Sequence, residues 1–344
     1  MAGANSRIKS VSYAKYGYIF IFPFFVAFFI FQLYPLLLTL WYSLQESYTG
    51  VDFATGAVQT VGPNFVGLQN FKDIFDNASE ASGLLCAFKN TLIMWGCNFI
   101  PQICLSLLCA AWFTDKRTKV PGQGIFKVLI FLPNVITAAS IAILFTSLFD
   151  KTGIVNVFIT KQLHIIDQPY DFFRSTGWTR GLVAFIQTWM WYGNTMVSLI
   201  SGILGINESL FEASEIDGCT SSQTFFKVTI PCIQPIMVYT LITSIIGGLQ
   251  LYDVPKLLSS DQQGAPNYTT QTVTMYITNQ AFNGSLNYGK AGAAAFILFV
   301  ATAILSCIVF YILRDKDEEA KKKYIKKQQK LAKQGKKMSG GLQI

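Results

Sequence analysis

Residues 16–35 read YGYIFIFPFFVAFFIFQLYP, a run without a single charged side chain. A bilayer core about 30 Å thick is crossed by a helix of about 20 apolar residues, so this run is long enough to span a membrane. It lacks a small-residue cleavage site after a short apolar core, which favours a retained helix over a signal peptide. Segments of this kind lie near residues 17–44, 89–113, 125–149, 181–205, 233–257 and 291–313.

Composition agrees with a membrane-embedded body, because 51% of the residues are hydrophobic and only 13% are charged. The sequence therefore predicts an all-α membrane protein with one domain of six transmembrane helices over residues 17–313. Connections rich in Gly, Asn, Asp, Ser and Thr link these helices on one side. They are Gln45 to Phe88, Asp150 to Arg180 and Leu258 to Lys290, and we expect loops there, with short helices inside them.

The distribution of Lys and Arg predicts which side of the membrane is cytoplasmic, since basic residues are retained there. Nineteen of the 27 basic residues lie in the N-terminus, in the second-to-third connection, at Lys227 and after Ile312, against six on the opposite side. Residues 1–16 and the basic tail, residues 314–344, are therefore predicted to be cytoplasmic. The tail is either a solvated segment or one that rests on anionic membrane lipid. Because the charge is concentrated there, it does not indicate nucleic-acid binding.

The connection between the fourth and fifth spans, residues 207–231, reads NESLFEASEIDGCTSSQTFFKVTIP and is too patterned for a simple turn. Asn207 can cap a first helix, and Gly218 offers the left-handed conformation that ends one. Thr220 and Gln223 then have the spacing of a capping box, with Pro231 expected to close the second helix. We predict a helix–turn–helix on the cytoplasmic face.

Several functions are disfavoured by what the sequence lacks. No GxxxxGK[ST] phosphate-binding loop occurs, so hydrolysis of ATP must belong to another chain. His164 is the only histidine, and the seven cysteines have no paired spacing typical of a metal site or a disulfide framework. We expect no catalytic residues, no metal and no cofactor bound by this chain.

The 207–231 connection resembles the EAA motif of permeases from binding-protein-dependent ABC importers. The matching residues are Glu212-Ala213-Ser214, Asp217-Gly218 and Ile230-Pro231, together with FVGLQNFKDIF and KNT between Phe65 and Asn90, and FLPNVITAASIAILFTSLFDKTGIVN from Phe131 to Asn156. In combination they look like the carbohydrate-uptake branch, which contains maltose and glycerol-phosphate permeases. Ser214, Cys219 and Asn207 depart from the usual residues but keep small size or capping ability.

This resemblance implies the fold, partners and location of the protein. It implies a type I ABC importer permease fold in a bacterial plasma membrane, paired with a second, homologous permease as a heterodimer. Two ATPase copies, which hold ATP and Mg²⁺, would lie at the cytoplasmic face, and a sugar-binding protein would lie outside the cell. The coupling loop, residues 207–231, would insert into the ATPase, with Glu212 and Gly218 at the contact and Ala213, Ser214 and Asp217 beside them.

Polar residues within apolar spans indicate the translocation path, because such groups are costly in lipid and usually face a cavity or a neighbouring helix. Asn134 follows Pro133, which we expect to interrupt the third span. The fourth span contains QTWMWYGNT, with Gln187 and Tyr192, whose mixture of amides and rings suits a sugar. Gln250 and Tyr252 offer similar chemistry on the fifth. By position, the resemblance to maltose-type permeases adds Trp191, Asn194, Gly248 and Leu251.

The substrate predicted from these spans is a neutral sugar, most simply an oligosaccharide, because no Lys or Arg occurs in the middle of a span. A permease for glycerol phosphate or another small solute is the alternative within the class, although it would want a positive pocket. An ion channel or secondary transporter is the alternative from another class. Neither a selectivity filter, a proton-relay carboxylate nor an inverted repeat is evident in support of it.

Overall fold

The apolar runs of the sequence become helices, as they must where no water is available to bond the backbone. The computed structural model describes residues 14–51, 58–115, 117, 121–283 and 286–313. The predicted cytoplasmic N-terminus lies almost wholly outside these residues, and the basic tail lies wholly outside them. Within them, five helical segments are long and apolar enough to cross a membrane, and a bent pair, Thr176–Leu204 with Glu208–Ile216, provides the sixth.

Within the described residues, fifteen α-helices and two strands follow one another along the chain, with three π-helical turns and one 3-10 turn between them. They are α1 (Ala14–Phe28), α2 (Tyr34–Ser43), β1 (Gln45–Val51), β2 (Val58–Phe65), α3 (Gln69–Asp76), α4 (Leu84–Thr114), α5 (Gln123–Val135), α6 (Ala138–Phe149), α7 (Ile154–Val157), α8 (Thr176–Leu204), α9 (Glu208–Ile216), α10 (Ser221–Thr224), α11 (Ile230–Cys232), α12 (Gln234–Leu249), α13 (Asp253–Leu258), α14 (Val273–Phe282) and α15 (Tyr288–Leu313).

One structural unit comprises residues 14–76 together with 277–297. In it, α1 and α2 join through a π-helical turn, Phe29–Leu33, into one apolar helix with outward-facing aromatic rings. An antiparallel hairpin of β1 and β2 follows, with a bulge between Glu46 and Tyr48. Only loops and short helices were predicted in this connection, so the hairpin is a departure from the prediction. Buried Asn70 secures its start by donating to the carbonyls of Ser43 and Gln45, at 2.9 and 2.8 Å.

The other unit, residues 77–276 and 298–313, has its centre where α4 packs along α8. Two apolar clusters fill it, one around Met94, Ile186 and Val254 and the other around Met196, Leu199 and Ile233. Polar bonds also join the two helices. Gln102 donates to Thr195 Oγ1 at 2.8 Å, and Ser106 donates to the carbonyl of Tyr192 at 2.7 Å. Such bonds contribute about 0.6 kcal/mol each between membrane helices, so they fix register more than stability.

Two predicted spans are interrupted, and one interruption is displaced from its predicted position. The third span breaks at Ile136 and Thr137 rather than at Pro133, because α5 continues through Pro133 and Asn134 to Val135. Thr137 then caps α6 by accepting a bond from the Ser140 amide at 3.3 Å. The fifth span breaks between α12 and α13, so Gln250, Leu251 and Tyr252 lie outside regular helix. Their backbone and side chains are thereby available to line a cavity.

Candidate functional site: coupling loop and membrane cavity

The 207–231 connection folds as predicted at its caps and its turn. Asn207 Oδ1 accepts a bond from the Ser209 amide at 3.1 Å and starts α9. Gly218 has a φ of +70° with open space around it, so α9 ends there in the left-handed conformation. Thr220 and Gln223 form the reciprocal capping box that starts α10. Local sequence signals therefore suffice to build this helix–turn–helix.

The end of this loop differs from the prediction, since Pro231 does not close the second helix. The chain continues from α10 through a π-helical turn, Phe225–Thr229, into α11, where Pro231 occupies the first turn. Pro231 directly follows the change from π-helical to α-helical bonding, where the loss of one backbone amide does not end the helix. The helical path stops at Ile233, one residue beyond Cys232.

The two helices of the coupling loop are held against each other by Ser214. This side chain is buried, donates to the Phe211 carbonyl at 2.7 Å and lies 3.2 Å from Thr224 Oγ1. Phe211 packs in turn on the apolar cluster around Leu199. Ser214, at the position the motif usually gives to alanine, thus adds a bond between α9 and α10.

Glu212, Ala213, Asp217 and Gly218 are exposed on the outer surface of the loop, and Ile216 beside them is 87% exposed. The axis of α9 is bent by 76° from that of α8. A helix bent so far from a membrane span lies nearly flat along the surface that the span leaves. An acidic and apolar face therefore points outward, where another protein can contact it.

Arg117, from the connection after α4, contacts the coupling loop on both sides of Gly218. Its guanidinium pairs with Glu215 at 3.2 Å and donates to the Cys219 carbonyl and Ser221 Oγ, each at 3.3 Å. From the sequence, Arg117 was only one of the basic residues that indicate orientation. No local signal could have found this role, because the partners lie about a hundred residues further along the chain.

A cavity of about 490 Å³ lies between α4, α8, α12 and the break after α12. This volume falls within the range of about 300–1,000 Å³ typical of small-molecule sites. Most of the predicted pathway residues line it, namely Gln187, Trp191, Asn194, Gly248, Gln250, Leu251 and Tyr252.

Two predicted pathway residues do not line this cavity. Asn134 is half-buried near the end of α5, and Tyr192 is half-buried on α8, where its carbonyl accepts from Ser106. Tyr192 points elsewhere because successive helical residues are turned about 100° apart, and its neighbour Trp191 takes the cavity side.

Three residues of α4 that were not predicted from the sequence also line this cavity, namely Trp95, Asn98 and Gln102. Asn98 and Gln102 lie four residues apart, on one face of an otherwise apolar helix. Polar residues at that spacing within a span were the signal that could have identified this face of α4. The same kind of signal identified the cavity-lining residues of the fourth span. Tyr239, Thr243 and Ser244 of α12 were missed as well.

The lining mixes polar and apolar groups and is almost uncharged. Amides and hydroxyls alternate with aromatic rings, Asp253 is its one charged side chain, and no Lys or Arg belongs to it among the described residues. Thr240 is 7% exposed, and its hydroxyl finds no hydrogen-bond partner among those residues. The cavity thus offers donors, acceptors and ring faces to an uncharged, hydroxyl-rich molecule.

Comparison with known proteins agrees with this geometry. Residues 102–316, well over half of the chain, match the family described as "Binding-protein-dependent transport system inner membrane component". The chain belongs to this family. It is therefore a multi-pass inner-membrane permease subunit of an ABC importer, and ATP is hydrolysed by separate subunits. The predicted family, fold class and location are confirmed.

Relatives of the permease are named for different substrates. It is 29% identical over 300 residues to the lactose transport permease LacF of Rhizobium radiobacter, covering 87% of this chain and 94% of that one. It is 25% identical over 290 residues to the sn-glycerol-3-phosphate transport permease UgpA of Escherichia coli, covering 83% and 90%. In fold it resembles a solved bacterial ABC transporter involved in the import of the acidic polysaccharide alginate, with a TM-score of 0.71 at 21% identity, covering 87% of this chain and 95% of that one.

Proposed function

We propose that this permease carries a neutral sugar, an oligosaccharide, through the cavity between α4, α8 and α12. The observation that carries the proposal is the lining itself, whose amides, hydroxyls and rings match the hydroxyls and C–H faces of a sugar. A glycerol phosphate would need cationic or multiple N–H partners for its anionic group. The single carboxylate at Asp253 and the absence of Lys or Arg from the described lining favour the neutral solute.

The remaining parts of the transporter follow from the same proposal. Residues 17–313 form the membrane body, and residues 1–16, 207–231 and 314–344 face the cytoplasm. A second, homologous permease completes a heterodimer, and the ATPase pair below it holds ATP and Mg²⁺. A soluble receptor delivers the sugar from outside.

In this proposal the coupling loop transmits closure of the ATPases to the membrane helices. Glu212 and Gly218 make the contact, with Ala213 and Asp217 beside them on the exposed face and Ser214 holding α9 to α10. Because Phe211 of α9 packs on the cluster that includes Leu199 of α8, a displacement of α9 is passed to a cavity-lining helix. The cavity then alternates between the two sides of the membrane as a two-state equilibrium.

Reconstitution of the complete complex tests both parts of this proposal. We expect ATP-dependent uptake of labelled lactose or maltotriose by the wild type, and a fall of about tenfold or more in uptake and in sugar-stimulated ATP hydrolysis for Glu212→Arg and Gly218→Arg. Gly67→Arg is a matched control, because Gly67 also has a positive φ, +60°, in open space but lies on the predicted opposite side. Unchanged coupling in both loop variants would show that the loop is not the ATPase contact. Uptake that persists in cells without the ATPase would instead support a channel or secondary transporter.

A further inference from the structure

We propose that Trp95 stacks on the sugar as it passes through the cavity. The lack of a side chain at Gly248 makes room for this indole. The inference rests on the proposed function and assigns a binding residue to α4, a helix that the sequence analysis did not connect with the substrate. It concerns the ring face of Trp95 rather than its N–H group.

Gly248 lies directly against the indole. A Cβ atom built on Gly248 would lie 2.0 Å from Cδ1 of Trp95 and 2.6 Å from Cγ, distances that no side chain could adopt. Gly248 itself is buried. Gly248, which was predicted to touch the sugar, is therefore covered by the Trp95 indole. At this point the indole forms the cavity wall.

The indole is also fixed by a hydrogen bond and by a neighbouring ring. Its Nε1–H donates to Ser244 Oγ of α12 at 3.1 Å. Phe99, one turn further along α4, stacks on it with ring centroids 5.5 Å apart and an angle of 19° between the planes. A ring held in this way loses little conformational entropy when a ligand packs on it, which favours affinity.

The bond to Ser244 determines what the indole can still offer. Tryptophan has one hydrogen-bond donor and no acceptor, and that donor is already used. Phe99 covers one face of the ring, and what remains is the apolar surface that lines the cavity, which suits the C–H face of a sugar ring. Asn98 follows Trp95 by three residues on the same helix and lines the same cavity. Its Oδ1 accepts from the Thr188 hydroxyl at 3.2 Å, so its amide N–H groups are what it can offer to a hydroxyl at the ring's edge.

Substitutions at position 95 test this inference in the reconstituted complex, with lactose and maltotriose as probes. The sugar-loaded receptor is kept saturating, so that its own affinity no longer limits the rate. Trp95→Leu removes the ring and is expected to lower the uptake rate about tenfold, as loss of one central aromatic contact does. Trp95→Phe keeps a ring face and should stay within about threefold of the wild type.

Trp112→Leu provides the matched control, because Trp112 lies on the same helix, is 55% exposed and does not line the cavity. It should import sugar at the wild-type rate. Rates are divided by the amount of assembled complex, so that misfolding is not read as lost binding. Wild-type uptake for Trp95→Leu overturns the inference alone, as does an equal loss in Trp95→Leu and Trp95→Phe. A wild-type complex that imports neither sugar overturns the proposed function, and this inference with it.

Discussion

At the scale of single residues, Asp261 organises the connection between α13 and α14. One carboxylate oxygen, Oδ1, accepts bonds from the Ser259 hydroxyl at 2.5 Å and from the amides of Gln263, Gly264 and Ala265 at 2.9, 3.1 and 3.0 Å. Partial burial raises the pKa of this group, but the hydroxyl and the three amides outweigh it, so the pKa lies below its ordinary value of 3.8.

A pH dependence follows from the lowered pKa of Asp261. Because the folded state favours the carboxylate, its contribution to stability is complete above the ordinary value of 3.8 and is lost as pH falls through the lower folded pKa. Asp261→Asn should therefore increase hydrogen exchange at Gly264 and Ala265 about three- to tenfold near neutral pH, a range discounted for solvent exposure. Below pH 3.8, the protection of these amides, corrected for the intrinsic pH dependence of exchange, should decrease in the wild type but not in the variant. Asp167→Asn, at an exposed site in another connection, should behave as the wild type; equal exchange in Asp261→Asn would contradict the prediction.

At the scale of elements, Arg117 joins the end of α9 to the start of α10. An exposed ion pair such as Arg117 with Glu215 contributes only about 0–1 kcal/mol by itself. The two further bonds, to the Cys219 carbonyl and Ser221 Oγ, bridge the left-handed turn at Gly218 and therefore limit its rotation.

Loss of this bridge should weaken coupling rather than folding. We expect Arg117→Ala to lower ATP-coupled uptake about two- to fivefold, with Arg117→Lys between it and the wild type, because lysine keeps the charge but not the planar fork. Raising the salt concentration should narrow the difference, since both side chains are solvent-exposed. Lys161→Ala, an exposed cation on the other predicted side, serves as control. If Arg117→Ala imports as much sugar for each ATP hydrolysed as the wild type does, this role is excluded.

The elements also show why some features could be predicted from sequence and others could not. The caps at Asn207 and Thr220 and the turn at Gly218 involve residues within a few positions of each other, and each was predicted correctly. The contact between Trp95 and Gly248 joins residues that are 153 positions apart in sequence. The bonds from Arg117 reach partners about a hundred positions away. Spacing along the chain carries no information on such pairs. The misplaced closure at Pro231 has a different cause, because a proline in the first turn of a helix and one after its end look alike in sequence.

At the scale of the whole molecule, α12 exposes a polar stripe that lipid cannot accommodate. Tyr239, Thr243, Gly247 and Gln250 recur at intervals of four, four and three residues and are exposed, Tyr239 by 62%. Hydroxyl and amide groups facing hydrocarbon are costly, so this stripe must face water or another protein. All four residues line the cavity and are also exposed, so the cavity is open on the side of this stripe.

A second, homologous permease is the partner we propose for that open side, and its identity can be tested by the mass of the assembled complex. We expect native mass spectrometry to find one copy of this chain, one copy of the second permease and two ATPase copies. Thr243→Lys should lower the yield of this assembly, because the partner would have to bury an unpaired charge, which is strongly unfavourable. Thr152→Lys, at an exposed position remote from α12 in sequence, should leave the yield unchanged. A complex that contains two copies of this chain would show that the stripe pairs with itself, and a Thr243→Lys complex formed in full yield would show that it faces water instead.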